Sequence, residues 1–131
     1  MKIYLDDQAL DPKYKRFPVD DTWTVVKTIA EFKREVERAH SAGEQITGLD
    51  LDNDLGEGEN GELMEGITAL RWLQDTYPEY LVDEKLEFNV HSENIVRKPQ
   101  MYAIRKDCLE RKQEVLDMKE RPDPWAELRA K

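Results

Sequence analysis

The chain has 131 residues, of which 20 are basic and 29 acidic, giving a formal net charge of −9 with 39% hydrophobic residues. That length suits one domain, expected over residues 1–120 with a C-terminal tail over 121–131, and the apolar fraction suffices for a single core. The acidic balance argues against broad nucleic-acid binding and adhesion to an anionic membrane, but it leaves room for one small phosphorylated ligand held through a cation and a few local basic groups.

Taken in chain order, Lys2 to Leu5 reads as a short strand, and residues 7–21, with two prolines and several charges, read as a loop. Thr22 to Lys27 is rich in β-branched residues and reads as a second strand. Thr28 and Glu31 match a capping box, and Ile29, Phe32, Val36 and Ala39 follow at helical spacing until Gly43. Ile46 to Leu51 is a third strand, and the glycines of 56–61 predict a loop. A second helix carries Leu63, Ile67, Leu70, Leu73 and Tyr77 on one stripe and stops at Pro78. Lys85 to Val90 is a fourth strand, with Leu86, Phe88 and Val90 on one face. Glu87 and Asn89 on the other face suggest a sheet edge or an uncovered face.

Pro99 suits the first turn of a last helix, with Met101, Ile104, Cys108 and Val115 on its buried side. Pro122 and Pro124 end it, and Trp125 in the tail is a candidate to dock on the core. The helix expected from Met101 to Lys119 is heavily charged. It can pair with a second copy, which leaves a homo-oligomer open, or stand in solvent. The element order predicts an α/β sandwich with a small, mostly parallel four-stranded sheet and about three helices.

Three polar clusters fall where strands end: Leu5-Asp6-Asp7, Asp50 to Gly56, and His91-Ser92-Glu93-Asn94. The carboxyl ends of parallel strands are where such sheets bind ligands. Gathered carboxylates there hold a hard cation, which in turn holds and polarises a phosphate. Asp50, Asp52 and Asp54 have the spacing that opens a calcium-binding EF-hand loop. That motif then fails, with Leu55 in place of its glycine and Gly61 in place of its glutamate. A merely solvated acidic turn is the plain alternative. Two acidic turns on one sheet edge would repel without a cation or basic group between them. His91, Ser92 and Asn94 beside Arg97 and Lys98 make a phosphate cradle at a helix start.

His40, among charges at a helix end, reads as solvated, and Cys108 reads as core. Nothing around Ser92 resembles a nucleophile elbow. There is no P-loop, dinucleotide fingerprint or zinc-ligand spacing. A lone cysteine forms no internal disulfide, the first seven residues are charged too early for a signal peptide, and no apolar run nears the ~20 residues of a membrane span. The expected location is therefore the cytoplasm.

The three clusters, with the run on to Met101, resemble the cyclic-phosphate-processing receiver-like domains, which are themselves similar to response-regulator receivers. The family pattern is LDD-x-R, then S-L-D-H-D-L-G, then H-S-A-N-x-x-x-R-x-N-M. The likeness spans roughly Lys2 to Met101. It implies a receiver-like α/β sandwich, with Asp6 and Asp7 in the place of the metal-binding acids. It also puts Asp52 in the place of the phosphate-accepting aspartate and Ser92 in that of the phosphate-contacting hydroxyl. The chain departs from the pattern at Asn53 for histidine, Glu93 for alanine, Lys98 for arginine and Gln100 for asparagine. It has no arginine soon after Gln8 and no fifth strand bearing the receiver's lysine.

The clusters predict a metal-dependent phosphoesterase, and the resemblance implies a small cyclic phosphate as its substrate, either a cyclic nucleotide or a 2′,3′-cyclic end. Asp6, Asp7 and Asp52 would hold Mg²⁺ or Mn²⁺, and Asp54 would order the attacking water. His91 would serve as general acid or base, and Ser92, Asn94 and Lys98 would hold phosphate oxygens. The alternative is a non-catalytic receiver-like module that binds a phosphorylated nucleotide or a protein partner. A third reading, an interaction protein with a solvated acidic edge, predicts no response to Mg²⁺ or phosphates.

Overall fold

The computed structural model describes residues 1–8, 22–58 and 60–120, the side chains of 118–120 excepted. The loop expected over 7–21 lies outside the described residues from residue 9 on, and so does the tail with Trp125. Four short strands, β1 (Lys2–Leu5), β2 (Trp23–Val26), β3 (Gly48–Leu51) and β6 (Glu87–Val90), form one sheet in the order β2-β1-β3-β6. Every pairing is parallel. β6 is an edge strand, as its exposed Glu87 and Asn89 suggested.

In-register pairing gives each sheet face its own rows. Val26, Leu5, Leu51 and Val90 make one row, and all four are buried. Thr24, Ile3, Leu49 and Phe88 make the row below it on the same face. The apolar members of these rows share a core cluster with Phe32, Val36, Ile67, Leu70, Leu73 and Met101 from the helices. The opposite face carries the row Val25, Tyr4, Asp50 and Asn89. Because side chains alternate along a strand, residues two further on share that face.

Helix α1 (Ile29–Ser41) begins at Thr28, whose Oγ1 accepts from the Glu31 amide at 3.1 Å. The return bond of the expected capping box goes one residue further back, from the Lys27 amide to Glu31 Oε2 at 3.0 Å. α1 ends in a Schellman motif. Glu44 N–H donates to Ala39 O, Gly43 N–H donates to His40 O, and Gly43 takes φ +69°.

The loop expected over 56–61 overlaps the end of a strand not foreseen, β4 (Asp54–Glu57), which pairs antiparallel with β5 (Leu63–Glu65). Leu63 therefore belongs to β5 and is 76% exposed rather than part of a helical stripe. Helix α2 (Gly66–Thr76) starts three positions later than that stripe implied, and a 3-10 turn at Pro78–Tyr80 follows it. α2 packs between α1 and the next helix, α3 (Arg97–Glu110). Pro99 lies in the first turn of α3, as expected.

The single long helix expected to Lys119 is two helices, with α4 (Lys112–Glu120) following a break at Arg111. The break turns Val115 and Leu116 back onto the core. Buried Arg105 on α3 has no counterpart in the expected stripe. Its Nε and Nη2 donate to the carbonyls of Leu81 and Asp83, each at 2.8 Å, and its guanidinium lies 5.6 Å from the Phe88 ring centroid. No strand follows β6 among the described residues, and no helix there is long and apolar enough to cross a membrane.

Candidate acidic site at the strand ends

The parallel ladder runs one residue past each strand. Asp6 N–H donates to Val26 O at 3.0 Å, Asp52 N–H to Leu5 O at 2.8 Å, and His91 N–H to Leu51 O at 3.0 Å. Asp6, Asp52 and His91 thus continue the sheet geometry, two residues beyond Tyr4, Asp50 and Asn89 on the same face. They stand at the carboxyl ends of β1, β3 and β6. Strand order reverses between β1 and β3, and that crevice is where an open α/β sheet binds ligands.

Asp6 is fully buried and Asp52 is 6% exposed. One ligand atom from each of Asp6, Asp52 and His91 lies within 4.8 Å of the other two. His91 Nε2 is 3.1 Å from Asp6 Oδ2, and Nδ1 is 2.5 Å from Asp50 Oδ1. Both nitrogens face carboxylates, so the ring carries both protons. Burial alone would lower its pKa. The hydrogen bonds to Asp50 and Asp6 and the charges of Asp50 and Asp52 outweigh burial and hold it at about 9. The ring stacks on Tyr4, with centroids 4.6 Å apart and planes 6° from parallel.

Asp7, also expected as a metal ligand, is outside this trio. It lines a cavity of about 250 Å³ with Asp52, Asp54, Gly56 and Glu93. Asp54 is exposed, and its Oδ1 lies 3.4 Å from Nδ2 of both Asn53 and Asn94. Ser92 is buried, and its Oγ accepts from the Asn94 amide at 3.0 Å. Asn94 Oδ1 accepts from the amides of Val96 and Arg97, which ties the cluster to the start of α3. Arg97 is drawn away to Glu65, with Nε to Oε2 at 2.8 Å. Lys98 lines a separate groove that also contains Ser92 and Asn94.

Asn53, where the family pattern has histidine, is fully buried. Its carbonyl accepts from Gly66 N–H at 2.7 Å and its Oδ1 from Ile67 N–H at 3.1 Å. It therefore caps α2 from a distant turn, while the residue preceding that helix, Glu65, makes no side-chain cap. Sequence reasoning also did not single out Tyr4 as the floor of the histidine, or Asp50 as its partner. The two-residue period along β1 and β3 was the signal that connects them.

His40 is not simply solvated. Its side chain is 43% exposed, yet its ring lies on Tyr77 at 4.3 Å between centroids, and Nε2 is 3.6 Å from Glu79 Oε1. Cys108 is buried in the core, which pushes its thiol pKa up.

The donors at the strand ends suit a hard divalent cation. Asp6 and Asp52 offer carboxylate oxygens, the donor type of Mg²⁺ and Mn²⁺ sites, while the doubly protonated His91 ring offers no lone pair to a metal. A parallel sheet in this order, with paired acids at its switch point, defines a receiver-like α/β domain. The sequence model of one such group, the cyclic-phosphate processing receiver domain, matches residues 1–107. The chain belongs to that family and is thus a receiver domain associated with cyclic-phosphate processing. No curated protein and no solved structure matches the chain.

Proposed function

We propose that this domain is a metal-dependent phosphoesterase that opens a small cyclic phosphate to a linear monoester. The observation that carries the reading is the convergence of Asp6, Asp52 and His91 within 4.8 Å at the switch point of the sheet. Asp6 and Asp52 would hold Mg²⁺ or Mn²⁺, with Asp7 across the adjoining cavity. A cation bound there supplies charge to the phosphoryl oxygens and acidifies the attacking water. Asp54 orders that water and takes its proton as the oxygen bonds to phosphorus. The ring P–O bond breaks with its electron pair on the leaving oxygen. His91 gives that oxygen the Nε2 proton it directs towards Asp6, acting as general acid. Ser92, Asn94 and Lys98 hold phosphate oxygens.

One observation favours a second reading, a non-catalytic module that captures a phosphorylated nucleotide. Asn53 is committed to capping α2, so this chain has no acid or base at the position where the family pattern has histidine.

Thermal stability with Mg²⁺ and a panel of cyclic and linear nucleotides, with products read by chromatography, separates the two. The esterase gives stabilisation and a new linear product, and Asp52→Asn abolishes turnover while the protein stays folded. Full activity in Asp52→Asn would sink the assignment. Stabilisation without product selects the binding module.

A further inference from the structure

An open groove of about 690 Å³ runs beside the acidic site. Ser92, Glu93 and Asn94 form the wall nearest that site, while Ile95, Pro99 and Tyr102 form the rest of it with Lys98. The groove and the acidic cavity are neighbours. Glu93 lines both, and Asn94 Nδ2 reaches Asp54 Oδ1 at 3.4 Å.

The apolar part of the groove is unusually bare. Ile95 is 88% exposed, and Tyr102 of the same groove is exposed as well. Scattered exposed apolar residues are ordinary, but a contiguous patch rimmed by polar groups marks a binding surface. This one is also stiff. Tyr102 Oη accepts from Val90 N–H and donates to Asn89 Oδ1, both at 3.0 Å, and its ring meets Phe88 edge-on at 5.8 Å. Pro99 has a fixed backbone angle. Apolar walls with a few convergent polar groups, in a volume of hundreds of cubic ångströms, are the usual make-up of a small-molecule site.

We infer that this groove receives the planar base of a nucleoside cyclic phosphate whose phosphate lies at the acidic site, so that the ligand is a nucleotide rather than a base-free cyclic phosphate. The inference rests on the proposed reading of the acidic site as the phosphate end. The occupant follows from this adjacency. Ser92 and Asn94 line the same groove as Ile95, Pro99 and Tyr102, so a ligand anchored at those two polar groups can lay an uncharged flat ring on that apolar surface. Every base has a π-face, so such a platform holds the ring without demanding one base.

The test uses the full chain with Mg²⁺ and titration calorimetry. The probes are 2′,3′- and 3′,5′-cyclic adenosine monophosphate, each paired with a base-free ring of the same size, glycerol 1,2-cyclic phosphate and 1,3-propanediol cyclic phosphate. At least one cyclic adenosine monophosphate should bind about tenfold or more tighter than its base-free partner. In Ile95→Ser, an exposed substitution, that ratio should fall towards one. Equal affinities within each pair, or an unchanged ratio in Ile95→Ser, would overturn the inference and leave the phosphate site standing. Binding of none of the four probes would remove both.

Discussion

A Cβ placed on Gly66 would stand 1.8 Å from the carbonyl oxygen of Asp52. The first residue of α2 therefore passes directly against the turn that carries the site, and only a hydrogen fits between them. Gly66→Ala must push α2 away from Asp52. We expect a loss of about 1–3 kcal/mol in chemical denaturation, together with weaker Mg²⁺ binding. Unchanged stability would show that the turn yields freely.

Asn53 holds the same junction by hydrogen bonds. Asn53→Ala removes the acceptor for Ile67 N–H and should cost about 1–2 kcal/mol, read by urea denaturation. Asn53→His, which restores the family's residue, should also destabilise, because the fully buried site is already filled by the cap.

His91 lies between Asp6 and Asp50. Replacing it with alanine takes the imidazolium from two buried carboxylates and should cost about 3–5 kcal/mol. Adding Asp50→Asn to that variant removes one of the two negative charges. The double variant should therefore be more stable than His91→Ala alone. A double variant that is less stable would contradict the charge argument.

The same ring sets a pH dependence in metal-free protein. Its pKa is raised when folded, to about 9 from an ordinary value of 6.5, so the folded state binds the proton more tightly. The contribution is full below about 6.5 and is lost as pH rises through 9. Melting temperature should fall across that window, and in His91→Gln the fall should be largely absent.

Arg105 shares the buried side of α3 with Met101 and Cys108. Its two carbonyl bonds and its place over Phe88 need a planar, forked cation. Arg105→Lys should lower stability by about 1–3 kcal/mol in thermal denaturation, since an ammonium cannot make both bonds at that spacing. Wild-type stability in Arg105→Lys would show that the fork is dispensable.

Local elements whose pattern is complete within a few residues were legible in the chain. The short apolar run of β1, the capping box and stripe of α1, and the apolar face of β6 were readable because each is a local pattern that backbone geometry and burial dictate. The sequence also determined that three polar clusters sit at strand ends, which an α/β sheet brings to one edge. Tertiary structure alone decided what those clusters touch. His91 reaches Asp50 and Tyr4 because parallel register brings distant strands level, and register is not written in any one strand. The β4–β5 hairpin was hidden among glycines that read as a loop. Asn53 caps a helix whose start lies 13 residues on, so no local capping signal marked it. The closeness of Gly66 to Asp52 is a packing fact, since a glycine inside an apolar stripe looks the same in sequence whether space or contact lies beside it.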